Sequence, residues 1–121
     1  MHQFGGFKTQ GRTEEQRLRI LAGAEALAQA GAYAVVLEAV PSAVAVEVTQ
    51  AVSVPTIGIG AGPGCDGQVL VMHDLLGMDP DWAPRFVRRY AQLGQEIQRA
   101  FAAYADDVRQ GRFPGPGESY E

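Results

Sequence analysis

AYAVVLEAVP, residues Ala32–Pro41, decides how the rest of the chain is read. Tyr33 to Leu37 is a continuous apolar run rich in β-branched residues, ended by the carboxylate Glu38 and, three residues on, by Pro41. A run without polar alternation predicts a strand covered on both faces, as in a parallel sheet. In parallel α/β architectures ligands collect at the carboxyl ends of the strands, so an acid placed there points toward a site. Partial burial at that position would raise the carboxyl pKa and suit Glu38 to proton abstraction. A solvated loop glutamate, or one capping the helix that begins near Pro41, explains the same residue equally well from position alone.

The flanking segments fit a parallel sheet. Upstream, Thr13 with Gln16 three residues later forms a capping-box pattern, followed by Leu18, Ile20, Leu21, Ala24, Leu27 and Ala28 at helical spacing. Gly31 stands where a helix stops in a left-handed residue, so a helix is predicted over about 13–30. Downstream, Pro41 suits the first turn of a second helix over about 42–52, whose Val44, Val46, Val48 and Val52 are poor helix formers and need packing. Residues 53–59 read as a second strand, GAGPGCDG (Gly60–Gly67) as a glycine loop, and 68–72 as a third strand. Phe86, Tyr90, Leu93, Ile97, Phe101, Tyr104 and Val108 predict a long helical region over about 83–110, with Gly94 a point of breakage. Residues 1–12 read as a loop, and the tail from about 111 is rich in proline and glycine and irregular. The chain is therefore α/β with right-handed crossovers, in one domain over 1–121. Three strands alone leave two open sheet edges, a sign that part of the architecture lies elsewhere.

Composition narrows the function. The 121 residues carry a net charge of −4, and 46% are hydrophobic. The densest basic spot, Arg85, Arg88 and Arg89, is expected on a helix among acids rather than on a basic stripe, so a nucleic-acid partner is not expected. A single cysteine, Cys65, supports neither a disulfide framework nor a zinc cluster. No apolar leader and no run of roughly 18 apolar residues is visible. The expected setting is cytoplasmic and reducing, without a membrane partner.

Several other residues are candidates for chemistry. The glycines of Gly60–Gly67 could bring backbone amides to an anion or simply turn between two strand ends. The segment lacks the Gly-Lys-Ser/Thr ending of a phosphate loop, and a strand rather than a helix follows it. His73-Asp74 could be a catalytic or metal pair, but adjacent residues in an extended segment diverge, which favours a polar turn. Asp66 alone makes no metal site. Cys65 has no neighbouring His or Lys to lower its pKa and reads as a small loop residue. Lys8 and Arg12 would pair with an anionic substrate or sit in solvent, the latter preferred.

Four segments together carry a family resemblance: FGGFKTQGRT (Phe4–Thr13), AGAYAVVLEAVP (Ala30–Pro41), VPTIGIGAGPGCDGQVLVMHDLLGM (Val54–Met78) and GRFPGPGESY (Gly111–Tyr120). In this order, over nearly the whole chain, they resemble the ketopantoate (3-methyl-2-oxobutanoate) hydroxymethyltransferases. The resemblance implies a (β/α)8 TIM barrel of the phosphoenolpyruvate/pyruvate superfamily type, a fold of roughly 250 residues. This chain matches the carboxyl-terminal half, strands six to eight with their helices, which accounts for the open sheet edges.

The resemblance also implies a reaction, the first committed step of pantothenate synthesis. A hydroxymethyl group passes from 5,10-methylenetetrahydrofolate to 3-methyl-2-oxobutanoate, giving 2-dehydropantoate. In the family, magnesium chelates the keto acid and the glutamate of the LE-x-VP motif removes the C3 proton; that glutamate is Glu38 here. The family's metal-binding aspartates, its substrate-binding serine and lysine and its active-site histidine belong to the first five strands. No substrate-binding residue and no metal ligand is therefore matched in this half, and His2 lies past the family's histidine motif. The implied partners are small-molecule substrates and either further copies of the chain, as a homo-oligomer, or a complementing amino-terminal half. The isolated chain is expected to be inactive. A non-catalytic half-barrel remnant or interaction module is the competing expectation, and an unrelated small nucleotide binder would need a phosphate loop that is not seen.

Overall fold

A computed structural model describes residues 11–120; the predicted opening loop, with His2 and Lys8, lies largely outside the described residues. In chain order the elements are α1 (Glu14–Gln29), β1 (Val35–Glu38), α2 (Ser42–Ala51), β2 (Thr56–Ile59), β3 (Gly67–Gln68), α3 (Met72–Leu75), α4 (Leu93–Arg109) and a 3-10 turn (Pro116–Glu118). They divide between two compact units, one ending at Leu70 and the other beginning at Val71. No helix among the described residues is long and apolar enough to cross a membrane.

The first unit is an α/β layer on a parallel sheet of order β1-β2-β3. Val35 pairs with Thr56 and Glu38 with Ile59, while Ile57 pairs with Gly67. Both β1 and β2 are shorter than the predicted runs because Pro55 precedes the ladder and has no N–H to donate; pairing begins where the Val35 amide reaches the Pro55 carbonyl, 2.9 Å away. The third strand is shorter still. Past Val69, whose amide donates to Gly58 O at 3.0 Å, β2 has ended, and Met72 already opens α3.

Helix α1 starts and stops as its sequence predicts. Thr13 Oγ1 accepts from the Gln16 amide, and Gln16 Oε1 reaches back to the Arg12 amide rather than to that of Thr13. At the other end Gly31, with φ +94°, allows Ala32 N–H to bond Leu27 O at 3.0 Å and Gly31 N–H to bond Ala28 O at 3.1 Å, a Schellman stop. Within the predicted stripe, Ile20, Leu21 and Ala24 pack on the core, whereas Leu18 and Leu27 flank it and are half-exposed. The core they complete is Val35 and Leu37 of β1, Val44, Ala45 and Val48 of α2, with Val40 and Ala61. Val44 and Val48 of α2 are thus held by burial, which offsets their modest helix propensity, while Val46 is exposed.

One expectation fails here. Val35 and Leu37 are buried but Val36 is 61% exposed and Glu38 is exposed, so β1 is covered on one face only. Its apolar run reads as doubly buried, yet α1 and α2 both contribute to the core on the Val35 side.

Arg17 ties the two helices together: it donates to both carboxylate oxygens of Glu14, at 2.9 and 2.6 Å, and also to Glu47 of α2. The hydrogen bonds from Arg17 hold the Glu14 carboxyl below its ordinary value of 4.5. A carboxyl lowered on folding adds stability above its unfolded pKa and loses it as the pH falls through the folded value. Acid unfolding of the chain should therefore steepen below about pH 4.5, and Glu14→Gln should flatten that part of a pH series followed by circular dichroism. Because Glu14 is exposed, the change should be small and should weaken in high salt.

In the second unit, α3 ends as α1 does, with Met78 N–H on His73 O at 2.9 Å and Gly77 N–H on Asp74 O at 3.1 Å. The predicted helix over 83–110 is shortened to the 17 residues of α4. Tyr90, Leu93 and Gly94 give their amides to the carbonyls of Leu75, Leu76 and Gly77, so residues 90–94 satisfy the end of α3, and a helix begins only at Leu93. Gly94 marks the start of α4 rather than a break, because a Cβ there would lie 2.4 Å from Met78 O. Arg89, expected on a helix, donates to the carbonyls of Asp79, Pro80 and Trp82 and closes that turn. Arg112 binds Asp106 and Asp107 at 2.6 and 2.7 Å, and Phe113 meets Tyr104 edge-on, so the tail folds back along α4.

Candidate functional site

Glu38 is the last residue of β1, at the carboxyl end of the parallel ladder. Residues in register across a sheet share a face, so Glu38 stands with Ile59, and Val36 with Ile57 behind them, on the face that α1 and α2 leave open. The result is a carboxylate at the lip of an aliphatic floor. Among the described residues no hydrogen bond or ion pair engages the Glu38 side chain, so both oxygens are available as proton acceptors. Glu38 is exposed in this chain, so the burial expected for it is not supplied by the first unit itself.

The backbone behind it is unusual. Ala39 has φ +53°, the one non-glycine residue with positive φ among those described. An alanine in that region costs roughly 1–2 kcal/mol. Its amide donates to Ile59 O at 2.9 Å, extending the ladder one step past the carboxylate before Val40 is buried and Pro41 leads into α2.

The glycine segment is not a tight turn between strand ends. β2 and β3 are parallel, so 60–66 must carry the chain back along the sheet, and they do so without a helix. The segment runs along α2: a Cβ on Gly62 would lie 2.3 Å from Ser42 Oγ, and one on Gly64 2.3 Å from Val46 Cγ2. At its end Asp66 accepts from the Thr56 amide at 2.8 Å and from the Thr56 hydroxyl at 3.1 Å, and Thr49 Oγ1 lies 2.8 Å from Thr56 Oγ1. Thr56 is fully buried, so Asp66 is a structural staple at the start of β2. Asp66→Ala should leave the buried Thr56 amide unpaired, with Thr49 still paired to the Thr56 hydroxyl, and cost about 1–3 kcal/mol; a urea titration reads this as a lower midpoint at unchanged slope.

The amino-acid sequence matches the family described as ketopantoate hydroxymethyltransferase over residues 1–116. The chain belongs to that family. It is 60% identical over 116 residues to the 3-methyl-2-oxobutanoate hydroxymethyltransferase of Phenylobacterium zucineum (strain HLK1), covering 96% of this chain and 42% of that protein. Against the protein of the same name from Geotalea daltonii it is 51% identical over 120 residues, 99% of this chain and 45% of the relative. The Enterococcus faecalis (strain ATCC 700802 / V583) relative is 48% identical over all 121 residues, 44% of its length. The chain thus spans less than half the length of the relatives it matches.

Within this family member the other candidates have local roles of their own. His73 and Asp74 sit on α3 in the second unit, and their carbonyls serve its C-terminal stop. Cys65 is a half-buried free thiol whose sulfur lies close to Gly58. Arg12, next to the α1 cap, is exposed. No group of three or more His, Cys, Asp or Glu side chains able to hold a metal occurs among the described residues. Two features had no sequence signal: the left-handed Ala39, since alanine does not advertise that conformation, and the Thr49–Thr56–Asp66 staple, since its members are 17 residues apart only in sequence.

Proposed function

We propose that this chain supplies the carboxyl-terminal half of a (β/α)8-barrel hydroxymethyltransferase, with Glu38 as the general base. One observation carries the proposal: within a chain of this family, the glutamate of LEAVP ends a parallel strand and projects from the sheet face opposite the helices. In a barrel that face lines the interior, and strand carboxyl ends carry the catalytic groups. The exposed apolar residues Val36 and Val69, and the stripe Leu93, Ile97, Phe101, Tyr104 and Val108 along α4, are surfaces that further chain would cover.

The substrate is 3-methyl-2-oxobutanoate, whose branched aliphatic end matches the floor of Val36, Ile57 and Ile59. Glu38 takes the C3 proton onto a carboxylate oxygen; the carbon so freed forms the new bond to the one-carbon unit of 5,10-methylenetetrahydrofolate. With water, that addition gives 2-dehydropantoate and tetrahydrofolate. Magnesium belongs to the proposal, with its ligands expected from the complementing amino-terminal half: among the described residues no acid or histidine cluster able to hold a metal accompanies Glu38. No step at Glu38 is therefore routed through the ion. The setting proposed is the cytoplasm, and the partner is a complementing amino-terminal half or a homo-oligomer.

The test is reconstitution. The amino-terminal portion of the Phenylobacterium zucineum relative, made separately and mixed with this chain, should form 2-dehydropantoate, while either piece alone should form none. Turnover by the isolated chain would refute the division of labour. Failure of the two pieces to associate, seen by light scattering, would favour the non-catalytic half-barrel remnant.

A further inference from the structure

We propose that Ala39 is a positioning residue for Glu38: its left-handed backbone, restrained by a methyl group and pinned to Ile59, fixes the direction in which the carboxylate leaves the sheet. The inference rests on Glu38 being the base and adds to it the device that aims the base.

Both strands of the β1–β2 ladder end alike. Glu38 pairs with Ile59, and the next residue on each strand is left-handed, Ala39 at φ +53° and Gly60 at φ +65°. Position 60 uses glycine, which takes that conformation without strain. Position 39 uses alanine, which does not. If the conformation served only to turn the chain toward α2, glycine would suit 39 as it suits 60.

What alanine adds is restriction. A glycine at 39 has several accessible backbone basins, and rotation there swings the peptide on the carboxyl side of Glu38. The methyl group removes most of those basins. The Ala39 amide on Ile59 O, at 2.9 Å, and the buried Val40 close behind it hold the one that remains. Strained backbone of this kind persists where the surrounding structure over-determines it, and it collects at functional sites. A base misdirected by about 1 Å loses up to about two orders of magnitude in rate, so restraint at this residue has consequences for turnover.

Ala39→Gly separates aiming from folding. In this chain it should melt no lower than the parent, because the strain is relieved, while hydrogen exchange of the residue 39 amide rises at least about tenfold. In a chimera joining the amino-terminal portion of the Phenylobacterium zucineum relative to this chain, kcat should fall about tenfold at unchanged KM for the keto acid, since a misaimed base affects the transition state and not ground-state binding. Unchanged exchange at residue 39 overturns the proposal in the chain itself, whatever the chimera does. Full kcat in Ala39→Gly, beside loss of activity in Glu38→Gln, overturns it while leaving the base in place. Full activity in Glu38→Gln would instead remove the base assignment on which it rests.

Discussion

Glu38→Gln in the reconstituted enzyme should lower kcat by about 10²–10⁴-fold, the range a positioned general base contributes. KM for the keto acid should change little. Glutamine has the same shape and keeps a carbonyl oxygen, but it cannot accept a proton at neutral pH. The side chain is exposed and engages no partner among the described residues, so the substitution removes chemistry without removing a contact. Circular dichroism and melting of the variant should therefore overlay the parent. Glu38→Asp, which keeps the carboxylate but withdraws it by one methylene, should retain part of the rate. A variant that loses activity together with its fold would instead mark Glu38 as a structural residue.

The largest stability effect is expected at Gly62. A Cβ there would meet Ser42 Oγ at 2.3 Å and Ser42 Cβ at 2.6 Å, and the backbone has φ +75°. Gly62→Val adds a β-branched side chain to a left-handed residue pressed on the first turn of α2. Left-handed strain of roughly 1–2 kcal/mol and overpacking of about 1–3 kcal/mol combine to about 2–5 kcal/mol. That is a large share of the stability of a small domain, and the variant should be mostly unfolded or strongly destabilised in a urea titration. By contrast, a Cβ on Gly31 meets nothing within 4 Å, so Gly31→Asn, which tolerates the same φ, should cost far less. Equal losses at the two positions would show that backbone conformation, not the contact with α2, governs the crossover.

Much of this was legible in the residues. Thr13, Gln16 and Gly31 announce α1 because capping chemistry is local, and Pro41 announces α2 for the same reason. The apolar run ending in an acid gives both the strand and the placement of Glu38. What was not legible depends on neighbours. Whether Val36 is covered depends on chain packed against the opposite face, and Val36 and Val35 are the same residue type. The helix expected over 83–92 is absent because the open carbonyls of α3 take the amides of Tyr90, Leu93 and Gly94, a non-local competition that periodicity does not register. GAGPGCDG looked like a turn because nothing in glycine content says that the strands on either side run parallel. Asp66, which has no companions for a metal site in the sequence, is paired instead with Thr56, whose hydroxyl in turn meets Thr49.

The most direct test of Glu38 as the C3 base leaves the folate cosubstrate out. 3-Methyl-2-oxobutanoate is incubated in D2O with the reconstituted enzyme, and the C3 proton is followed by NMR. The account predicts that the C3 signal is lost to deuterium with the parent chain, and that this exchange falls by about 10²-fold or more with Glu38→Gln. Exchange that continues at the parent rate in the Glu38→Gln assembly would contradict it.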